Sequence, residues 1–382
     1  MSVVGVGEPV HVLVVDDSAV VRQVMTTILV AAGMEVTSVS DPIFALERMK
    51  KNRPSVILLD VEMPRMDGLT FLKKVMAEDP IPVVVCSGFT GRGTEKALQA
   101  LREGAVEVLA KPQMNIRENP RAVAELIVEA VRGAARARVG RHGRIAAAVR
   151  SRSAVPTPTA TAGVRTAPGP ARTQRPGTME PPPAVAVEGG EWIVAIGAST
   201  GGTEALRQIL TALPANAPPV LVVQHMPAAF TGPFAAALDA DCRIQVREAR
   251  EGDRLARGLA LVAPGGDHMR LVARGSGYGV SVVGGPPVSL HRPSVDVLFE
   301  SVASVGPRGA MVGVLLTGMG ADGARGLLAM RQAGAYTIAQ DEATSVVFGM
   351  PKEAISLGAA ADILPLPRIA SALCSPGFAR TR

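Results

Sequence analysis

Two rhythms of apolar and polar positions alternate along the first part of the chain. Val10 to Val15 is apolar except for His11 and ends in Asp16-Asp17. A run of this kind, bounded by polar residues, reads as a strand buried on both faces. Val21, Val24, Met25, Ile28 and Leu29 follow at helical spacing, and Gly33 stops that helix. Met34 to Val39 reads as a strand, Pro42 to Lys51 as a helix, and Ser55 to Leu59 as a strand ending in Asp60. Gly68 to Ala77 predicts a helix, Pro82 to Cys86 a strand ending at Ser87, and Thr94 to Arg102 a helix. Ala105 to Leu109 is a strand running into Lys111-Pro112, and a last helix ends near Arg132. Strands and helices in strict alternation demand a parallel sheet covered on both faces.

After about Val131 the periodicity disappears, and residues 133–190 read as a linker rich in Pro, Arg and Ala. Pro156, Pro158, Pro168, Pro170, Pro176 and the run Pro181 to Pro183 are interleaved with Thr, Ala and Gly. Such a stretch cannot bury enough apolar area to offset its ordering entropy; as a flexible coil it would span roughly 40 Å. The rhythm resumes at Trp192 to Ile196, a buried-type strand, and Leu206, Ile209, Leu210 and Leu213 mark an amphipathic helix behind it. Val220 to Val223 and Val312 to Leu316 are further apolar strands. The expected architecture is α/β: a domain over 9–132, the linker, and a second domain over 191–376.

Composition narrows the function. The chain has 382 residues, 47% apolar but only 3% aromatic. That argues for aliphatic cores and against base-stacking nucleic-acid modules. Cys86, Cys242 and Cys374 are odd in number and widely spaced, which excludes a disulfide framework and suits a reducing compartment. The N-terminus lacks a basic n-region, and no apolar run reaches the ~18 residues a membrane span needs. The net charge of +6 suggests nucleic acid until it is located. Nine arginines and one acid between Ala134 and Val187 give that segment +8, so the rest of the chain carries −2. The basic character belongs to the linker, and no nucleic-acid partner or membrane insertion is expected.

Asp16, Asp17, Asp60, Ser87 and Lys111 all fall at the carboxyl ends of the first domain's strands, the edge where open parallel sheets bind ligands. Three carboxylates in one crevice need a cation, and hard oxygens suit Mg²⁺. With that charge neutralised, Asp60 is placed to attack a phosphoryl group. Each Asp alone could merely cap a helix. With its VVDDS, LLDVEMPRMDGL and Lys111-Pro112 motifs, the segment from Val10 to Arg132 resembles the receiver domain of two-component response regulators. The resemblance implies a flavodoxin-like fold, Asp60 as phosphoacceptor, and Asp16, Asp17 and Asp60 around the metal. Ser87 and Lys111 would read the phosphoryl group. The family usually carries an aromatic switch residue three positions before the lysine; here that position is Val108.

In the second domain the first strand runs into Gly197-Ala198-Ser199-Thr200-Gly201-Gly202 and then a helix. This G-x-S-x-G turn either presents a nucleophilic Ser199 or cradles a phosphate; it lacks the lysine of a P-loop and the spacing of a dinucleotide-binding loop. His225, at a strand end on the same edge, is a candidate base. Asp322, in the loop Thr317 to Gly323, is a candidate to orient it, or else caps the helix that follows. His268 and His291, in turn-rich sequence, read as surface or internally satisfied residues. The order Ser, His, Asp differs from that of the α/β-hydrolases.

The motifs GASTGGTEAL, VVQHMP, APGGDHM, HRPSVDVLF and LLTGMGADGA resemble the catalytic domain of chemotaxis protein-glutamate methylesterases. That resemblance implies a phosphorylation-activated esterase that removes methyl groups from glutamyl esters of chemoreceptors and deamidates receptor glutamines. Ser199 would be the nucleophile, His225 the base and Asp322 its orienter; the Met319 amide would serve the oxyanion, with Thr200 flanking. Ester hydrolysis needs no cofactor, the phosphodonor would be the chemotaxis histidine kinase, and the site of action the cytoplasm, at receptor arrays. In the family the unphosphorylated receiver covers the catalytic face. The long linker here lowers effective concentration and predicts weaker basal inhibition. Two alternatives are a receiver-linked hydrolase of another ester or peptide, and a response regulator with a DNA-binding output. The strand-rich second domain, near neutral in charge, speaks against the latter.

Overall fold

The computed structural model describes residues 9–63, 66–88, 91–111, 120–137, 139, 192–307 and 310–374. Most of the segment read as a linker, and Pro112, lie outside these residues.

The N-terminal unit follows the predicted alternation. Its elements are β1 (His11–Val15), α1 (Ala19–Ala31), β2 (Glu35–Val39), α2 (Pro42–Lys51), β3 (Val56–Asp60), α3 (Gly68–Glu78), β4 (Val83–Ser87), α4 (Gly91–Arg102), β5 (Glu107–Ala110) and α5 (Pro120–Ala135). The parallel sheet has the order β2-β1-β3-β4-β5. Alternate strand residues serve opposite faces. Val12, Val14, Val56, Leu58 and Val84 pack on Met25 and Leu29 of α1 and Val131 of α5. Leu13, Val15, Ile57, Leu59 and Val83 pack on Phe71, Leu72 and Ala97 from α3 and α4. The last helix runs to Ala135, past the predicted end near Arg132, because Ala130, Val131 and Ala134 continue its buried stripe.

The C-terminal unit comprises β6 (Ile193–Ala198), α6 (Gly202–Ala212), β7 (Val220–Gln224), α7 (Ala228–Asp241), β8 (Gln245–Glu248), β9 (Leu259–Val262), β10 (His268–Arg274), β11 (Gly277–Val283), α8 (Val295–Val305), β12 (Met311–Leu315), α9 (Ala324–Gln332), β13 (Tyr336–Gln340), α10 (Met350–Ser356), β14 (Asp362–Leu364) and α11 (Leu366–Cys374). Seven strands form a parallel sheet in the order β14-β13-β12-β6-β7-β9-β8. The antiparallel hairpin of β10 and β11, which the apolar pattern did not suggest, lies apart from it. Val194 and Ile196 face Leu206, Ile209 and Leu366, whereas Ile193 and Ala195 face Leu298, Phe299 and Leu327. Central β6 is flanked by β7 and β12, so the carboxyl ends of these three strands open on one crevice.

The two units share an apolar seam: the core cluster around Leu72 and Ala97 is continuous with Leu206, Phe234 and Leu238 of α6 and α7. Among the described residues no helix is long and apolar enough to cross a membrane.

Candidate active site and phosphoacceptor pocket

β6 delivers Ser199 to the crevice, and Gly201, at φ 77°, turns the chain into α6. A side chain at Gly201 would meet Val346 at 2.5 Å, so glycine is required there for both shape and conformation. The Gln224 amide on β7 clamps the elbow by donating to the Ser199 carbonyl at 3.0 Å. One residue on, His225 Nε2 meets Asp322 Oδ2 at 2.8 Å. That pairing leaves Nδ1, buried and without a partner, as the nitrogen available to a nucleophile. No hydrogen bond joins Ser199 to His225 in this arrangement, as is common in resting sites.

Asp322 does not cap the helix after Gly323. Its carboxylate sits at the N-terminus of α8, accepting from Ser294 Oγ at 2.8 Å, Val295 N at 2.7 Å and Asp296 N at 3.0 Å. Burial pushes Asp322 up, but the bond to His225 and these backbone donors outweigh it and hold the carboxyl below its ordinary value. Burial, then the neighbouring His291, push the His225 pKa down against the pull of Asp322. Both favour a neutral imidazole ready to accept a proton. The Thr200 and Met319 amides donate to no protein acceptor among the described residues, so both N–H groups are unused there.

In the acidic pocket of the first unit, the candidate phosphoacceptor site, Asp60 Oδ1 takes the Glu62 N–H at 2.9 Å and Oδ2 takes Lys111 Nζ at 2.7 Å. Lys111 also reaches Asp16 Oδ2 at 3.2 Å. Burial would lower the Lys111 pKa, yet the two carboxylates raise it on balance, so the ammonium is firmly charged. One oxygen from each of Asp16, Asp17 and Asp60 lies within 4.8 Å of the others. Asp16 Oδ2 is buried with only the ammonium to answer it, and burial followed by repulsion from Asp60 raises its pKa. Hard oxygens converging around an under-satisfied carboxylate fit a divalent cation. Ser87 is fully buried at the end of β4. A methyl group on Gly68 would lie 2.3 Å from the Asp60 carbonyl oxygen, so that turn admits glycine alone.

The first unit sits on the second unit's crevice. The Val106 carbonyl accepts from Gly201 N at 3.2 Å, and Thr200 Oγ1 donates to Glu107 Oε2 at 2.7 Å. Glu129 Oε2 of α5 lies 3.5 Å from His291 Nε2. Ser199 is left 5% exposed.

The CheB methylesterase family matches residues 194–373, and the response regulator receiver domain family matches residues 12–119. A protein-glutamate methylesterase/protein-glutamine glutaminase of Anaeromyxobacter dehalogenans is 54% identical over 363 residues, covering 95% of this chain and 98% of its own. The chain belongs to the protein-glutamate methylesterase/protein-glutamine glutaminase family. Another relative with that name, from Salmonella typhimurium, is 48% identical over 362 residues, 94% of this chain and 95% of its own. The crystal structure of the Thermotoga maritima CheB methylesterase catalytic domain, 38% identical, covers 48% of this chain and 98% of its own, with a TM-score of 0.47.

Within this methylesterase, one histidine departs from the sequence expectation. His268 is buried and internally bonded, as expected. His291, by contrast, stacks on His225, with ring centroids 3.6 Å apart and planes 12° apart. It is presented by a tight turn in which Val288 and His291 exchange backbone hydrogen bonds, and both central residues, Ser289 and Leu290, have positive φ. Neither is the Gly or Asn that signals such a turn, so the sequence carried no mark of it.

Proposed function

We propose that Ser199, His225 and Asp322 hydrolyse glutamyl methyl esters on chemoreceptors, and receptor glutamine side chains by the same steps, under control of phosphorylation at Asp60. The observation that carries this is the imidazole of His225: fixed by Asp322 through Nε2, it keeps a free, buried Nδ1 at the strand end beside the serine elbow.

Ser199 Oγ attacks the ester carbonyl carbon while its proton passes to His225 Nδ1. Negative charge on the carbonyl oxygen is met by the Met319 and Thr200 amides. As the tetrahedral adduct collapses, the methoxy oxygen takes the proton from His225 and leaves as methanol. Water then gives its proton to His225 and attacks the acyl-enzyme, freeing a glutamate side chain and restoring Ser199. With a glutamine substrate the leaving nitrogen takes that proton and departs as ammonia. A cleft of about 490 Å³ begins at Met319 and Gly320 and runs past Val346 to Lys352, giving room for polypeptide flanking the reacting side chain.

In the receiver, Asp60 attacks the phosphoryl group of a histidine kinase phosphodonor, and Lys111 and Ser87 engage the transferred oxygens. Asp16, Asp17 and Asp60 would hold a divalent ion, read as Mg²⁺ from the hard oxygen donors, and it would supply charge neutralisation for phosphoryl transfer. Residues 9–135 and 192–374 act as regulatory and catalytic units, and the protein works in the cytoplasm at receptor arrays.

The test is methanol release from methylated chemoreceptor membranes. Ser199→Ala is expected to lose about 10⁴-fold or more. Asp60→Asn should keep the basal rate but lose stimulation by a small-molecule phosphodonor. Unchanged release by Ser199→Ala overturns the assignment.

A further inference from the structure

The helix that receives Asp322 begins with a serine whose hydroxyl has two tasks. Ser294 is completely buried and extended, φ −109° and ψ 139°, as a residue preceding a helix should be. Its Oγ accepts the Val297 N–H at 3.4 Å, an ordinary cap. A cap uses only the oxygen lone pairs, so the hydroxyl proton still needs an acceptor. It has one in Asp322 Oδ1, at 2.8 Å. Ser294 is thus the one side-chain donor, apart from His225, that the Asp322 carboxylate holds among the described residues.

Ser294 is itself held from behind. Its backbone N–H donates to His268 Nδ1 at 3.2 Å, and His268 Nε2 lies 3.0 Å from the Pro286 carbonyl oxygen. A carbonyl can only accept and a backbone N–H can only donate. These partners therefore place the proton on Nε2 and leave Nδ1 as the acceptor, so His268 presents a single tautomer to Ser294. From Pro286 through His268, Ser294 and Asp322 to His225, every group has a donor or acceptor role that admits no exchange.

We infer that Ser294 is a positioning residue for the hydrolysis, orienting the Asp322 carboxylate and through it the His225 ring, with His268 locking Ser294 in place. This rests on the assignment of Ser199, His225 and Asp322. Removing the hydroxyl leaves the carboxylate, besides its bond to His225, anchored by backbone donors alone. Its charge is then less spread and it draws the imidazolium more strongly, while the His225 ring it holds is less well aimed at Ser199.

The experiment uses the full-length protein, phosphorylated with a small-molecule donor, and follows methanol release from methylated chemoreceptor membranes against pH. For Ser294→Ala, kcat is expected to fall about tenfold with KM unchanged. The acid limb of kcat/KM should move upward by about half a pH unit. Ser294→Thr, which keeps both the cap and the hydroxyl, should restore the rate and the limb. Loss of the cap alone would reduce the active fraction without moving the limb, so a slow Ser294→Ala enzyme with an unmoved limb overturns the inference. A wild-type rate in Ser294→Ala, or a Ser294→Thr enzyme as slow as the alanine variant, overturns it as well. Ser199→Ala, measured alongside, separates the two levels: if it stays active the triad assignment falls, and if it is dead while Ser294→Ala is normal only the role of Ser294 falls.

Discussion

At the scale of single residues, the receiver places an acid, Glu107, on Thr200, the neighbour of Ser199. Burial, opposed by the Thr200 hydrogen bond and aided by Glu129, pushes the Glu107 carboxyl up to about 7, with His291 pulling the other way. A carboxyl whose docked pKa lies above its ordinary value of 4.5 favours docking while both forms are protonated, and that support fades as pH rises through about 7. The ratio of phosphorylated to unphosphorylated activity should therefore shrink as pH rises from about 4.5 to about 7, and change little above that. In Glu107→Gln it should stay flat, which parallel methanol-release profiles of the two proteins would show. Asp322→Asn keeps the size of the side chain but not its charge, so kcat should drop by about 10⁴ with the receptor still bound. That Ser199, His225 and Asp322 would gather on one edge was legible in the sequence, because each follows an apolar strand and strand ends meet there. His291 was not, because Ser289 and Leu290 do not look like turn residues. Nor was the role of Glu107 and Glu129, which read as ordinary surface acids until another unit is laid over them.

At the scale of elements, the apolar rhythm predicted the strands and helices of the receiver to within a few residues. Those positions are set by burial on both faces of a parallel sheet, a strong and local signal. The hairpin of β10 and β11 escaped because it is only partly covered: Met269, Leu271 and Val280 are buried, whereas Arg270 and Ala273 are exposed and most of β11 is half-buried. Helix α5 is the element that covers the site. A Cβ at its Gly133 would lie 3.2 Å from Met319 Sδ and 3.4 Å from Thr200 Oγ1. Gly133→Leu should wedge the two units apart and raise the unphosphorylated rate several-fold, leaving the phosphorylated rate unchanged. Gly133→Ala separates the wedge from helix propensity: it gains about 1 kcal/mol of helix stability but adds only one methyl group. Equal basal rates in wild type and Gly133→Leu would show that α5 does not gate the site.

At the scale of the whole molecule, the receiver and the esterase form a closed pair joined by a segment whose composition predicts a flexible tether. Effective concentration falls roughly as the −3/2 power of tether length, so removing about half of residues 140–190 should lower the basal rate about threefold through tighter closure. Unchanged basal methanol release in that deletion would mean the segment does more than tether. The closed form also bears on the aromatic missing at Val108. Lys111, which grips Asp60, lies just beyond one end of β5, and Glu107, bonded to Thr200, lies at the other. The separation is four residues, roughly 13 Å of extended chain. A strand is stiff along its axis, so a shift of Lys111 at one end of β5 is expected to be felt at Glu107 at the other. A substitution within β5 is therefore expected to alter the Lys111–Asp60 grip and the Glu107–Thr200 contact together.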